Sequence, residues 1–429
     1  MPPTQADFEV ADLGECTFPS PLRDTSFIDA TNRVLFRDDL EHVRDHVLRG
    51  VEPTSFELAG PRERIFFDPA KLKAAIVTCG GLCPGLNDAV RAIVIGLREK
   101  YGVRDVVGLR FGFEGLVERY GDNEIELTSQ GVSWIQERGG TVIGTSRGAQ
   151  SPVDMVDTLE RLGIGLLFTI GGDGTLKGAH TIADEVRKRG LAIGVIGVPK
   201  TIDNDISFVE TSFGFETAVA AARTATRAAY VEASCHRNGI GLVKLMGRDS
   251  GFIAGFAAMA DACVGACLIP ESPFSTEGLV GVIKDLIRRD GHAVVLVAEG
   301  AGQDLLAAPE GQDASGNARY GDIGVFLKDR IPPLCRDSGL DVSLKYIDPS
   351  YMIRSLPANT RDAAFCQLLG FAAVDAGMAG KTDIVVGLWR RRFTHVPIPL
   401  AVSSRKKVNI EGRLWQGVLA ATGQPRNMC

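Results

Sequence analysis

The stretch from Gly163 to Asp205 limits what this chain can fold into more than any other. It contains the apolar run Leu166-Leu167-Phe168-Thr169-Ile170, which breaks into Gly171-Gly172-Asp173-Gly174-Thr175. A continuous apolar run reads as a strand buried on both faces, and glycines let the backbone turn sharply at its end. The amides of such a turn, opening onto a helix start, form a nest for phosphate oxygens. Asp173 within the turn suits a magnesium ion bridging phosphates, because magnesium takes oxygen ligands and few of them from protein. The pattern then repeats: a strand at 192–196 leads to Pro199-Lys200-Thr201-Ile202-Asp203-Asn204-Asp205. In an open parallel sheet the lysine and carboxylates of this second turn face the same crevice as the first. Each turn alone also reads as a solvated connection; their succession argues for a ligand site.

At 429 residues the chain exceeds one ordinary core, so it reads as two domains or one large α/β unit. A strand at 74–78 runs into Gly80-Gly81-Leu82-Cys83-Pro84-Gly85. A helix follows, with Leu86, Val90, Ile93, Val94 and Leu97 on one stripe. Further strands are expected at 105–109, 239–245, 267–269, 293–297, 344–347 and 383–388. Helices are expected at 154–162, 213–233, 251–260, around 279–286 and at 361–376. This alternation calls for mostly parallel sheets covered by helices on both faces. The first 70 residues, punctuated by prolines, read as an extension or a flap over the main body. Their charged run at 37–49 reads as a short helix or a solvated face. Gln303 to Gly321 reads as an irregular insertion or mobile loop.

Composition excludes several classes of function. A net charge of −6 argues against a nucleic-acid partner, while leaving room for a local basic pocket. No apolar run approaches membrane-spanning length and the amino terminus lacks an apolar signal core, so a cytoplasmic protein without a membrane partner is expected. The nine cysteines include Cys79/Cys83 and Cys263/Cys267, without the second pair or histidines of a zinc site, and fit a reducing compartment. Arg147, in Gly144-Thr145-Ser146-Arg147, either reaches a bound phosphate bidentately or is an exposed arginine with no role.

A set of motifs carries a family resemblance. TCGGLCPGLN at 78–87, TIGGDGT at 169–175, PKTIDND at 199–205, MGR at 246–248, AEG at 298–300 and YMIR at 351–354 resemble those of the 6-phosphofructokinase family, in its order. The resemblance runs from about Lys73 to the carboxyl end. GGDGT alone is shared with lipid and NAD kinases; TIDND with a later MGR is specific. Lys200 before TIDND, the amino-terminal extension and the CGGLCPGLN wording resemble the atypical ATP-dependent branch. That branch groups with pyrophosphate-using enzymes and resembles plant and trypanosomatid forms.

The resemblance implies an α/β fold of two doubly wound, mostly parallel-sheet domains with an N-terminal extension. Residues 1–70 would be the extension, and 71–215 an ATP-binding domain completed by part of 355–400. Residues 216–354 would bind fructose 6-phosphate, completed by 400–429. The implied activity is ATP- and Mg2+-dependent transfer of the γ-phosphate to the C1 hydroxyl of fructose 6-phosphate, by a homo-oligomer, dimer or tetramer. Asp203 would take the proton from that hydroxyl, with Arg147 and Lys200 as further catalytic residues, and Asp173 would hold magnesium. Gly80, Arg147, Gly171, Gly172, Asp173, Gly174 and Thr175 would bind ATP. Thr201, Ile202, Asp203, Met246, Gly247, Arg248, Glu299, Lys345, Tyr351, Met352, Ile353 and Arg354 would bind the sugar phosphate.

Some positions depart from the family pattern. Lys345, Tyr351 and Arg354 stand where bacterial members carry arginine, histidine and arginine. Gly239 stands where they carry an arginine given to a neighbouring subunit, and nearby Arg237 is out of register. Gly174 replaces the second aspartate of pyrophosphate users and so points to ATP, whereas Lys200 is a feature of pyrophosphate users. Three alternatives stay open. One is a pyrophosphate-dependent phosphofructokinase; another is a non-catalytic, sugar-phosphate-binding regulatory protein. The third is a lipid- or NAD-kinase-like enzyme, against which MGR and YMIR count.

Overall fold

The computed structural model describes residues 3–121, 123–307, 311 and 319–429. The insertion expected at 303–321 falls largely outside the described residues. The chain divides into two units: Met1–Thr201, Ile206–Gly214 and Pro357–Ser404 make one, and Ile202–Asp205, Phe215–Leu356 and Arg405–Cys429 the other. Both are α/β, as the alternation predicts. No helix among the described residues is long and apolar enough to cross a membrane.

Unit one is built, among the described residues, on a nine-stranded sheet. Its order is Arg33–Leu35, Ser55–Leu58, Arg392–Pro397, Ile384–Trp389, Gly194–Pro199, Leu166–Gly171, Lys73–Thr78, Asp105–Leu109 and Glu124–Glu126. The strands from Ile384–Trp389 to Asp105–Leu109 are parallel, and antiparallel strands extend both edges. Ala74–Val77, Leu166–Phe168 and Val195–Ile196 are completely buried, which is why these strands read as unbroken apolar runs. The strand expected at 192–196 starts later, at Gly194. Arg390–Arg392 makes a tight hairpin: Arg390 and Arg391 take φ of 50° and 62° between two antiparallel strands.

Residues before 70 contribute to the sheet itself. Phe8 is fully buried against Phe56, Phe36 and Phe208, with ring centroids 4.6, 5.4 and 5.9 Å away. These contacts come from single aromatics far apart in sequence, so they leave no periodic stripe. The charged run does form a helix, Leu40–Arg49, capped by the Asp39 carboxylate accepting from His42 N, and it buries no residue. Glu57 accepts from buried Arg62 at 2.6 Å and His395 Nδ1 at 3.2 Å, and pairs with Lys381 at 3.3 Å. Burial alone would raise its pKa, but the His395 hydrogen bond and the charges around it bring Glu57 down to about 2. Burial holds His395 itself neutral, its pKa depressed.

Among the described residues, unit two carries a four-stranded parallel sheet, in the order Ala266–Leu268, His292–Ala298, Gly239–Leu245 and Ser343–Ile347. Small residues let the alanine-rich helix Phe215–Ser234 lie directly on it. A Cβ added at Gly239 would sit 2.0 Å from the Ala233 carbonyl oxygen, and one at Gly241 2.6 Å from that of Ala229. Two of the longer helices among the described residues of this unit carry no expectation from the sequence. Ile323–Asp337 holds Pro332 and Pro333 inside it, a pair that reads as a break; Arg413–Thr422 buries Trp415.

The Glu57 cluster generates a stability prediction. Its folded pKa lies below the unfolded value of about 4.3, so its contribution is present above that value and lost as pH falls towards the folded one. Glu57→Gln leaves buried cations without their carboxylate and should cost about 3–5 kcal/mol. Thermal unfolding at neutral pH should show the lower midpoint, and the gap to the parent should close on acidification. An unchanged midpoint at neutral pH would show that the cluster contributes nothing net.

Candidate active site

In unit one, adjacent parallel strands end side by side at Thr78, Gly171 and Pro199. Thr78 Oγ1 donates to the Gly144 carbonyl at 2.6 Å, Gly80 N to Ser146 at 2.8 Å, and Thr145 Oγ1 to Gly80 at 2.8 Å. These bonds pin the Gly144–Ser146 loop to the glycine turn and leave Arg147 exposed on it. Gly80 has φ of +85°, and a Cβ there would lie 3.3 Å from Lys200 Nζ. Lys200 is buried, and its ammonium donates to the Gly81 carbonyl at 2.6 Å.

The neighbouring strand end turns into the helix Asp173–Lys188, capped by Gly172 without a side chain. The first amides of a helix have no intrahelical acceptor and point at whatever anion approaches. Thr175 is buried and fills the space a side chain at Gly171 would need. Gly174 is exposed, and a Cβ there meets nothing within 4 Å. Asp173 accepts from Lys177 Nζ at 2.8 Å. One carboxylate beside amides that take phosphate oxygens fits magnesium, which keeps several waters and binds through one or two carboxylates plus phosphates.

Ile202–Asp205 belongs to unit two, although Thr201 and Ile206 on either side belong to unit one. Its hydrogen bonds within unit two fix it there. Ser250 Oγ donates to the Asp203 carbonyl at 3.1 Å and Arg248 N to Asp203 Oδ2 at 3.4 Å. Lys406 N donates to the Asp205 carbonyl at 2.8 Å, and Lys406 Nζ to Asn204 Oδ1 at 3.0 Å. Arg405 Nη1 donates to Asp205 Oδ2 at 3.3 Å and also to Asp249. Burial first, then the charges of Asp205 and Glu299, push the Asp203 carboxyl well above the usual range. Burial also raises Glu299, opposed by Lys244, Arg248 and Arg354.

Asp203, Arg248, Glu299 and Arg354 thus share one electrostatic neighbourhood. Arg248 stacks on Tyr320 at 4.2 Å, Tyr320 donates to Asp249 at 3.1 Å, and Met246 is buried beside the Gly247 turn. Arg354 stacks on Tyr351 at 4.4 Å. Tyr351 and Met352 are each 75% exposed, whereas Ile353, at 3%, anchors the short helix Ser350–Arg354. Ile202 is likewise buried, and Thr201 accepts from Ser212 Oγ at 2.6 Å through its carbonyl.

Lys345 is exposed in the middle of the edge strand Ser343–Ile347, in register with Gly241. Lys244, paired with Asp322 at 3.0 Å and Asp348 at 2.9 Å, is the lysine that faces Glu299. At Gly239 the helix backbone leaves no room for an arginine side chain. Sequence reasoning did not single out Lys244, Asp249, Tyr320, Arg405 or Lys406. Arg405 lies 200 positions from its partner Asp205. The one signal for it is the run Ser403-Ser404-Arg405-Lys406-Lys407, and a basic run ordinarily reads as a solvated face.

A family model described as Phosphofructokinase matches residues 73–377. The chain is 47% identical to an ATP-dependent 6-phosphofructokinase of Borreliella burgdorferi, over 98% of each chain. It is 46% identical to one of Amycolatopsis methanolica, over 98% of this chain and 95% of that one. It is 43% identical to one of Trypanosoma brucei brucei, over 98% and 88%. Among solved structures, a pyrophosphate-dependent phosphofructokinase from Marinobacter aquaeolei aligns with a TM-score of 0.68 at 20% identity, covering 82% of this chain and 91% of that one. Pichia pastoris phosphofructokinase aligns with a TM-score of 0.65 at 24% identity, over 83% and 37%.

The raised Asp203 carboxyl has a measurable consequence for stability. Its folded pKa exceeds the unfolded value of about 3.9, so its contribution is fully present below that value and is lost as pH rises through the folded one. Asp203→Asn stays neutral and escapes that loss. The variant should therefore unfold at a higher temperature than the parent, by a margin that widens as pH rises above about 4. Equal midpoints across that range would show that ionised Asp203 is not costly to the fold.

Proposed function

The chain belongs to the phosphofructokinase family, and we infer that it is an ATP-dependent 6-phosphofructokinase. It transfers the γ-phosphate of ATP to the C1 hydroxyl of D-fructose 6-phosphate, giving fructose 1,6-bisphosphate and ADP. The observation that carries the reading of its chemistry is the fixed Ile202–Asp205 loop, with Asp203 beside the Arg248 amide and Glu299.

Phosphoryl transfer needs positioning and charge neutralisation more than covalent help. The C1 oxygen attacks the γ-phosphorus, the bond from phosphorus to the β,γ-bridging oxygen breaks, and Asp203 takes the hydroxyl proton. A carboxylate whose proton affinity burial has raised is better suited to that step than one in water. Arg248 and Arg354 hold the 6-phosphate, with Tyr351 and Lys345 at its margin, and Glu299 accepts from sugar hydroxyls. The Gly80–Gly81 turn, Gly171–Thr175 and Arg147 bind ATP; Arg147 and Lys200 counter charge on the transferring group. The reaction uses a divalent metal, Mg2+ in this reading, which when bound at Asp173 neutralises the donor phosphates. The enzyme acts in glycolysis, in the cytoplasm, as a homo-oligomer.

Asp203→Asn should keep substrate binding and lose turnover by about 10²–10⁴-fold, the usual cost of losing a general base. Steady-state assay with ATP and fructose 6-phosphate decides this, and turnover close to that of the parent removes Asp203 as the base.

Donor choice rests on Gly174. An aspartate there would place a second carboxylate where the α-phosphate of ATP lies, and like charges a few ångströms apart in a partly dry cleft cost several kcal/mol. An added Cβ meets nothing in the protein, so Gly174→Asp should fold normally. The parent should turn over with ATP and little or not at all with pyrophosphate, and Gly174→Asp should lose ATP use. Equal rates with both donors in the parent would show that this position does not select.

A further inference from the structure

We propose that Arg405 is a positioning residue for phosphoryl transfer, holding Asp205 and Asp249 together and neutralising them so that Asp203 stays available as a base. The proposal rests on Asp203 being that base. The acids that face Asp203 are Asp205 on its own loop, Asp249 after the strand Gly239–Leu245, and Glu299 after the strand His292–Ala298. Glu299 has cations of its own in Lys244, Arg248 and Arg354. Arg248 turns its guanidinium onto the Tyr320 ring, with Nε 4.0 Å from Asp249. Asp205 and Asp249 share Arg405, whose Nη1 reaches both carboxylates.

The segment carrying Arg405 is fixed along the same loop. Lys406 N donates to the Asp205 carbonyl, and Lys406 Nζ reaches Asn204, which sits in the left-handed region at φ 55°. Val408 N donates to Glu271 Oε1 at 2.8 Å, and Gly251 N donates to the same carboxylate at 3.1 Å. One short stretch therefore clamps the TIDND loop and the loop after MGR in a single register. A guanidinium suits a position between two carboxylates because it is always charged and offers several donors in one plane. Without it, both neighbours would lose the guanidinium they share and act more strongly on Asp203, and its proton would be held more tightly.

The test is the pH dependence of kcat with saturating ATP and fructose 6-phosphate, for the parent, Arg405→Met, Arg405→Lys and Asp249→Asn. In Arg405→Met the acid limb should move to higher pH, by about 0.5–1 unit. Arg405→Lys keeps the charge and should return the limb towards its parental position. Asp249→Asn removes one of the acids and should move the limb the other way, which tests the idea even if Arg405→Met fails to fold. A limb that stays in place in Arg405→Met or Asp249→Asn, or a plateau loss without a shift, overturns the proposal and leaves Arg405 a structural tie. Failure of the underlying reading appears elsewhere, as an acid limb missing from the parent or as turnover kept in Asp203→Asn, and it removes this inference too.

Discussion

Taking an ionised carboxylate out of water is costly, and the protein resolves that cost in two opposite ways. Glu57 in unit one is surrounded by Arg62, Lys381 and the His395 ring, and its pKa falls to about 2. Asp203 in unit two is buried among other carboxylates and is pushed the other way. The desolvation is shared; the sign comes from the neighbours. A carboxylate stabilised by cations has nothing to gain from a proton and serves as a tie. One kept among acids can take a proton and give it up again, which is what a general base does. Such a residue stays in place only if something other than its own charge holds it. Here the Ser250 hydroxyl and the amides of Arg248 and Lys406 do so, largely through the backbone of the loop.

Close backbone approach then decides which side chains are available around that loop. The Gly239 and Gly241 positions abut the carbonyls of Ala233 and Ala229, so the long helix sits directly on the strand. That packing removes any side chain at 239 and leaves the cations near Glu299 to Lys244, Arg248 and Arg354 of the same unit. Lys244 stays beside the acid because Asp322 and Asp348 hold its ammonium from other directions. An uncompensated lysine there would instead swing to solvent or pair with Glu299 outright.

What could be read from the sequence followed from locality. The parallel strands were legible because burial on both faces leaves unbroken apolar runs, and the glycine turns because they follow those runs directly. Strand edges were legible to a residue at 105–109 and 239–245, and displaced at 192–196, where Ala192 and Ile193 are apolar but precede the first ladder pair of Gly194. The amino-terminal strands were not legible, since Phe8 also packs on Phe208, and Glu57 also meets Lys381 and His395, hundreds of positions away. The helix around Pro332 and Pro333 was hidden by a pair that normally ends one. In the site, motif residues carried their own signal. Arg405 and Lys406 did not, because their meaning lies in which acids they meet, and a single sequence does not show long-range pairing.

Lys200 and Gly174 pull in opposite directions when read as letters, and geometry explains why they need not conflict. The Lys200 ammonium donates to the Gly81 carbonyl and stands beside Gly80, so part of its work is to hold the glycine turn and supply positive charge along it. That service is equally useful to any phosphate chain bound there, long or short, because backbone amides and a lysine do not count phosphates. Selection between donors must come from whatever lies beyond the phosphates that both donors share. Gly174 is at the start of the helix Asp173–Lys188, exposed and open on the side where a Cβ would project. A favourable charge raises affinity for both donors, whereas a repulsive carboxylate at an open position would discriminate, since specificity is a difference of affinities. The lysine is therefore compatible with ATP, and in the proposed reading the missing aspartate is the feature that admits it.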